Sequence, residues 1–220
     1  SMIEGRGGKV LDENGKAAFD SPQAIEAFQF LKDLVYVHNV MPATAASMKY
    51  DDVTDAFSSG RIATIFEGSH RYAQIANAVG KENLLVAEMP GVDASKPSPA
   101  GVNGWTLGIP KNSPHPNEAW EFIKFFTSAE KNLQYAKESG EIPIRNSVLE
   151  DEYFKSEQGA MVRWYVDYLN QGSAPAVAPA NAQELSEIIA IALRAIVSDP
   201  NSNVEQIVKE EAQKYNRLVN

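Results

Sequence analysis

The chain has 220 residues, 44% of them apolar, enough to bury a real core in one large or two small domains. Its formal charge of −9, from 20 basic and 29 acidic residues with no Lys/Arg stripe, argues against nucleic acid or an anionic membrane surface as partner. The absence of cysteine excludes disulfides, thiolate metal sites and cysteine nucleophiles, and no run of about 18 apolar residues could span a membrane.

Ser1-Met2 reads as a scar ahead of a start codon, and Ile3-Glu4-Gly5-Arg6 matches a protease-cleavage tag. Residues 1–7 are therefore expected to be tag or linker. The chain then opens directly into GGKVLDENGKAAF with no leading core element, so a fragment or a truncated reading frame is expected; no secretory signal is present. Lys9 to Phe19 predicts a β-hairpin, with Val10-Leu11 and Ala17-Ala18-Phe19 flanking the two-residue turn signal Asn14-Gly15. Asp12 and Glu13 beside it do not complete a calcium loop, so a solvated turn is the expectation.

Ser21-Pro22 starts a helix, serine as N-cap and proline at the first helical position. Ala24, Ile25, Phe28, Leu31, Leu34 and Val35 then give it one buried face. Asp51 to Ser58 reads as a short helix ended by Gly60, its Asp51, Asp52 and Asp55 suiting the positive end of the macrodipole better than a metal. Ile62 to Phe66 predicts a strand that breaks at Glu67-Gly68, and a helix starts at Ser69 with His70 and Tyr72 in its first turn. That order delivers a planar ring and free helix N–H groups to the carboxyl end of a strand, where open α/β sheets bind oxygen-rich ligands.

Leu84 to Met89 is an expected strand, followed by a Pro/Ser/Gly/Ala-rich loop to Gly104 and a strand from Trp105 to Ile109. Asn117 to Phe126 is a helix with Ala119, Trp120, Ile123 and Phe126 on its inner side. Ser128 to Ser139 is another, ended by Gly140, and Ile142 to Arg145 is extended. Leu149 to Phe154 is expected as a helical turn and Glu157 to Leu169 as a helix. After the small, Pro-rich loop Gly172 to Ala180, Asn181 with Glu184 has capping-box spacing. It opens a helix buried through Ile188, Ile189, Ala192, Leu193, Ile196 and Val197 and stopped at Asp199-Pro200. Asn203 caps a last helix, Val204 to Leu218.

The order of these pieces resembles the carboxy-terminal half of the solute-binding proteins of ATP-driven sugar importers, the extracellular family 1 group that includes maltose-binding protein. The segments carrying the likeness are GGKVLDENGKAAFDSPQAIEAFQFLKDLV, YDDVTDAFSSGRIATIFEGSHRYAQI, NGWTLGIPKNS and AWEFIKFFTSAEKNLQYAKESGEIPIRNSVLED. The resemblance implies a helix-rich α/β fold of the periplasmic-binding-protein type II kind. It implies a carboxy-terminal lobe from 8–102 and 151–220, and a hinge-crossing strand and segment of the other lobe from 103–150. Lobes of this kind close on a ligand by hinge bending. The amino-terminal half, which would supply most of one lobe, is absent, and the family's frequent Pro-Trp after the glycine is Ser69-His70 here.

Six residues are candidates for ligand binding. Trp105 could offer its ring to the apolar face of a pyranose or be an ordinary core tryptophan. His70 aligns with the family's stacking aromatic, or else caps a helix. Glu67 could accept two sugar hydroxyls or sit in a solvated turn. Tyr50 matches a cleft tyrosine, or packs beside the short helix. Arg145, in the Pro-x-Arg segment, could clamp hydroxyls or a carboxylate, or make a surface salt bridge; Asn103 is a weaker polar partner. Tyr72 is expected to pack, and Trp120 and Trp164 to be core.

The expected function is non-catalytic: a carbohydrate-binding component of an importer, or a fragment of one, meeting permease subunits in the periplasm or outside the cell. The alternative is a half-receptor that binds little ligand and self-associates as a homo-oligomer, Trp120, Phe122, Ile123 and Phe126 being left partly uncovered. A glycoside-processing enzyme is the lesser alternative, since Gly68-Ser69-His70 is not a nucleophile elbow. His38, His70 and His115 lack metal-ligand spacing, and no cofactor or metal is expected.

Overall fold

The computed structural model describes residues 1–93, 98–101, 104–171, 179 and 181–219. Asn103 and most of the Pro-rich loop at 172–180 lie outside the described residues. The chain separates into two compact units. One comprises 1–53, 88–101 and 176–220, the other 54–87 and 102–175.

In the first unit, helix α1 (Pro22–Tyr36) begins where Ser21 Oγ accepts the Ala24 N–H at 3.4 Å. Its apolar face meets α8 (Ala182–Ser198) and α9 (Val204–Leu218) in a core of Phe19, Phe28, Leu185, Ile188, Ile196, Val208 and Tyr215. Asn203 caps α9 as expected, accepting from Gln206 N at 3.0 Å. Asn181 does not cap α8 with its side chain. Its Oδ1 accepts instead from the hydroxyl of buried Tyr215 at 3.1 Å, because that phenol would otherwise lack a partner. Near the start of the chain, Ala17 N donates to Asn216 Oδ1 at 2.8 Å across 199 residues of sequence.

The expected hairpin at 9–19 contracts to a single antiparallel bridge, Leu11 with Ala17. Asp12 Oδ1 accepts from Asn14 N and Lys16 N, each at 2.8 Å, so this carboxylate organises the turn and is not set up for a cation. Within residues 1–7, expected as tag or linker, Ile3 and Arg6 make contacts although no residue is buried. Glu4–Arg6 is a 3-10 turn, Ile3 lies against the core, and Arg6 sits over the Phe30 ring at 5.2 Å and beside Glu26 at 3.6 Å.

The second unit contains α3 (Tyr72–Val79), α4 (Pro116–Phe126), α5 (Ala129–Ser139), α6 (Glu152–Lys155) and α7 (Ala160–Asn170), while α2 (Tyr50–Ser58) runs across the boundary. Its core gathers Ala136, Val148, Leu149, Phe154 and Val162. Helix α7 starts three residues later than expected, after a turn at 157–159.

No strand is found at 62–66, 84–89 or 105–109 among the described residues, where three were expected. The pattern itself persists: Leu84 and Val86 are half-buried while Leu85 and Ala87 are exposed, a period of two. Apolar content and alternation specify an extended backbone. A ladder needs a second segment alongside, and none of the described segments supplies it.

Trp120 is also not core. Helix α4 buries no residue: Trp120, Phe122, Phe125 and Phe126 are exposed and Ile123 is half-buried.

Candidate functional site

The segment from Gly60 to Tyr72 builds a local constellation in the second unit. Arg61 N and Ile62 N both donate to Ala56 O, closing the end of α2 and turning the chain into the extended run to Phe66. At the end of that run Glu67 is half-buried. Its Oε1 accepts the Gly68 N–H at 2.7 Å, and its Oε2 accepts from the hydroxyl of buried Thr54 at 3.2 Å. The carboxylate itself thus takes up one of the backbone donors expected for a ligand.

The helix then begins as a 3-10 turn, Ser69–Arg71, with no side-chain cap, and becomes α-helical at Tyr72. His70 is exposed and folds back over Gly68: a Cβ at position 68 would lie 2.6 Å from both Cε1 and Nδ1 of the imidazole. The glycine is what lets the ring lie against the backbone beside Glu67. Any larger residue would drive the ring off.

Helix α7 carries an aromatic group around Trp164, a residue expected as core. Trp164 stands edge-on to Tyr165 at 5.2 Å and tilted to Tyr168 at 5.6 Å between ring centroids. The Tyr165 phenol is pushed up from 10.0 to about 12, chiefly by burial, then by the nearby Tyr72 hydroxyl and the Glu67 carboxylate. Trp164, Tyr165 and Tyr168 thus form one ring group on α7, and Tyr165 lies within electrostatic reach of Tyr72 and Glu67. The available signal was the spacing of Trp164 and Tyr168, one helical turn apart on α7.

The other candidates are dispersed. Trp105 is 97% exposed, which removes the core alternative, and it opens no strand. Arg145 is exposed and its Nε donates to Thr127 O at 2.5 Å, so the guanidinium closes the end of α4. Tyr50 is exposed at the first residue of α2 and belongs to the first unit, with Glu67, His70, Trp105 and Arg145 in the second. An open groove of about 510 Å³ at the end of α1, lined by Val35, Tyr36, Asn39, Val40, Met41 and Pro42, contains none of the six candidates. No group of histidines and carboxylates among the described residues could hold a metal ion, and no described helix is long and apolar enough to cross a membrane.

The arrangement suits recognition of a polyhydroxylated ligand. Ring faces, phenol hydroxyls and a carboxylate with fixed orientation can meet C–H faces and hydroxyls together.

The profile of the family described as bacterial extracellular solute-binding protein matches residues 2–162. A probable ABC transporter-binding protein of Deinococcus radiodurans is 24% identical over 151 residues, covering 66% of this chain and 34% of that protein. The maltotriose-binding protein of Pyrococcus abyssi is 26% identical over 150 residues, covering 66% and 32%. Among solved structures, maltose-bound MalE3 of T. maritima superimposes with a TM-score of 0.83 at 30% identity, covering 99% of this chain and 56% of that one. A solute-binding protein of an ABC transporter from Thermotoga lettingae, bound with α-D-tagatose, gives 0.77 at 25% identity, covering 100% and 55%. The chain thus spans about a third of the length of these curated relatives and somewhat over half of these solved chains. Its helix-rich fold is that of the maltose-binding type of periplasmic binding protein.

Proposed function

Because the chain belongs to the bacterial extracellular solute-binding proteins, a family of receptors rather than enzymes, we propose that it is a carbohydrate-holding part of an ATP-driven sugar importer. It grips a sugar by ring stacking and hydroxyl hydrogen bonds without altering it. His70 and Trp105 offer ring faces and Glu67 accepts hydroxyls, with Arg145 and Asn103 as polar contacts, Tyr72 and Tyr165 as further hydroxyl partners, and Tyr50 as a separate candidate on the first unit. Residues 103–150 belong to the segment that crosses to the second lobe of such a receptor. Its setting is the periplasm or the outer face of the membrane, where it meets permease subunits.

What supports this reading is the Glu67–Gly68–His70 turn, in which the carboxylate is held by Gly68 N–H and the Thr54 hydroxyl and the His70 ring lies back over the glycine. The printed names of the relatives, maltotriose- and arabinooligosaccharide-binding proteins among them, favour an oligosaccharide. An open site covers only part of a sugar, so affinity for this chain alone is expected to be weak.

A thermal-shift titration with maltose, maltotriose, an arabino-oligosaccharide and tagatose tests it. At least one sugar should raise Tm at millimolar concentration, and Trp105→Ala and His70→Ala should abolish the rise. Nanomolar affinity would refute weak binding by an open site. A flat response to every sugar would refute the carbohydrate reading.

A further inference from the structure

We propose that Asn14 is a site of spontaneous covalent modification, its carboxamide closing onto the Gly15 amide with loss of ammonia and reopening in water to isoaspartate and aspartate. This inference is independent of the ligand reading. Asn14 and Gly15 lie in the turn between the bridged residues Leu11 and Ala17. Asparagine is heat-labile, most of all where the next backbone nitrogen can reach its side chain. Gly15 carries no Cβ to obstruct that approach, and at φ 74° nothing lies within 4 Å of where a Cβ would stand. Asn14 is exposed, and among the described residues no hydrogen bond engages its carboxamide. Asp12 Oδ1 holds its backbone N–H at 2.8 Å and leaves the side chain free to rotate.

Other asparagines are held. Asn181 and Asn216 accept from the Tyr215 hydroxyl and Ala17 N at 3.1 and 2.8 Å, and Asn203 caps α9. Asn39 and Asn83 donate from Nδ2 to Val37 O and Val79 O at 3.4 and 2.9 Å. Each of these five precedes a residue with a side chain. The sequence has a second Asn-Gly pair, Asn103-Gly104, whose asparagine lies outside the described residues. One restraint opposes the reaction at Asn14: Gly15 N–H donates to Asp12 O at 3.1 Å and must let go before its nitrogen attacks. The turn is anchored by a single bridge, so that opening is local and leaves the core closed.

In the first step the Gly15 nitrogen loses its proton to hydroxide and bonds to Asn14 Cγ. The Cγ–Nδ2 bond breaks, and the nitrogen leaves as ammonia with a proton from water. Water then opens the cyclic imide. Attack at Cγ restores the ordinary backbone as aspartate, and attack at the main-chain carbonyl reroutes the backbone through Cβ as isoaspartate. Either product adds a negative charge beside Asp12 and Glu13 in a chain already at −9. Isoaspartate also inserts a further backbone atom. It draws Lys16 N–H away from Asp12 Oδ1 and, next along the chain, Ala17 N–H away from Asn216 Oδ1, each bond now 2.8 Å. Ageing of this turn therefore loosens the tie between the start of the chain and α9.

The test holds the chain for days in mildly alkaline buffer, folded and in urea, and reads the peptide spanning residue 14 by mass spectrometry with isoaspartate-specific fragmentation. The folded chain should exchange amide for acid mass at Asn14, with isoaspartate in excess, at a rate within roughly tenfold of the unfolded chain, as for a locally opening turn. Mildly acidic buffer should slow it, since the attacking nitrogen must be deprotonated. Gly15→Ala and Asn14→Gln should each stop it over the same period, with circular dichroism confirming their folds. Hydrogen exchange at the Ala17 amide should quicken in the aged chain but not in Asn14→Asp, which carries the charge without the inserted atom. Conversion in urea with none in the folded chain, a folded Gly15→Ala variant that converts as fast as wild type, or Asn39 or Asn83 converting before Asn14 would each overturn the proposal. Unchanged exchange at Ala17 in the isoaspartate form would overturn the link to α9.

Discussion

The hydroxyl of Thr54, wholly buried in α2, donates to Glu67 Oε2 at 3.2 Å, while the other oxygen of the same carboxylate takes the Gly68 N–H at 2.7 Å. A residue thirteen positions upstream thereby orients the Glu67 carboxylate. Thr54→Val keeps shape and volume but removes the donor. It is expected to cost about 1 kcal/mol in urea unfolding and to blunt any sugar-induced thermal shift. An unchanged shift at reduced stability would make the bond purely structural.

Alkaline pH should reveal Tyr165. Its folded value of about 12 lies above the ordinary 10.0, so the unfolded chain loses the proton first. The stability this phenol contributes is complete below pH 10 and disappears as pH climbs towards 12. Tyr135, raised by burial and by Glu141, adds in the same direction. Urea midpoints measured across that window should fall steeply for the wild type and less steeply for Tyr165→Phe. Equal slopes would contradict the assignment.

The tag-like tetrapeptide should resist its protease. Arg6 is held over Phe30 and beside Glu26, and Gly5 lies so close to Ser98 that a Cβ there would be 2.2 Å from its Oγ. Cleavage after Arg6 should be slow in the native chain and fast in denaturing urea, read from gel bands over time. Gly5→Ala should lower stability by about 1–3 kcal/mol through overpacking and should hasten the cut. Rapid cleavage of the native chain would show the segment to be loose.

Arg145→Ala separates two roles. Losing the bond to Thr127 O at the end of α4 should cost about 0.5–1.5 kcal/mol of stability. If the guanidinium also meets a sugar, the thermal shift produced by that sugar should fall further than stability does. Parallel losses in both measurements would assign Arg145 to the helix end alone.

The helices were legible because each carries its own local signal. Ser21, Ser128 and Asn203 cap α1, α5 and α9 through the bonds their side chains make. Asn181 had the same signal and a different outcome, since a buried phenol 34 residues away competed for its oxygen. The strands were misread for a related reason: Leu84 to Met89 announces an extended backbone, but pairing depends on another part of the chain. Trp120 shows the limit of periodicity, which identifies an apolar face without saying what covers it. At the site, Glu67 and His70 stood out because Gly68 separates them. The Trp164, Tyr165 and Tyr168 group stayed hidden inside an ordinary amphipathic pattern.

The bond between Ala17 and Asn216 has a consequence for how the chain is made. The unit that holds Phe19 cannot close its core until Tyr215 has left the ribosome, whereas every residue of the unit comprising 54–87 and 102–175 has been synthesised well before then. The inner unit can therefore organise first, while the earlier-made α1 waits with its oily side uncovered and open to capture by a chaperone. Trimming a handful of residues from the far end should thus delay maturation of the beginning, an effect that pulse-labelled translation would register as prolonged protease sensitivity around α1.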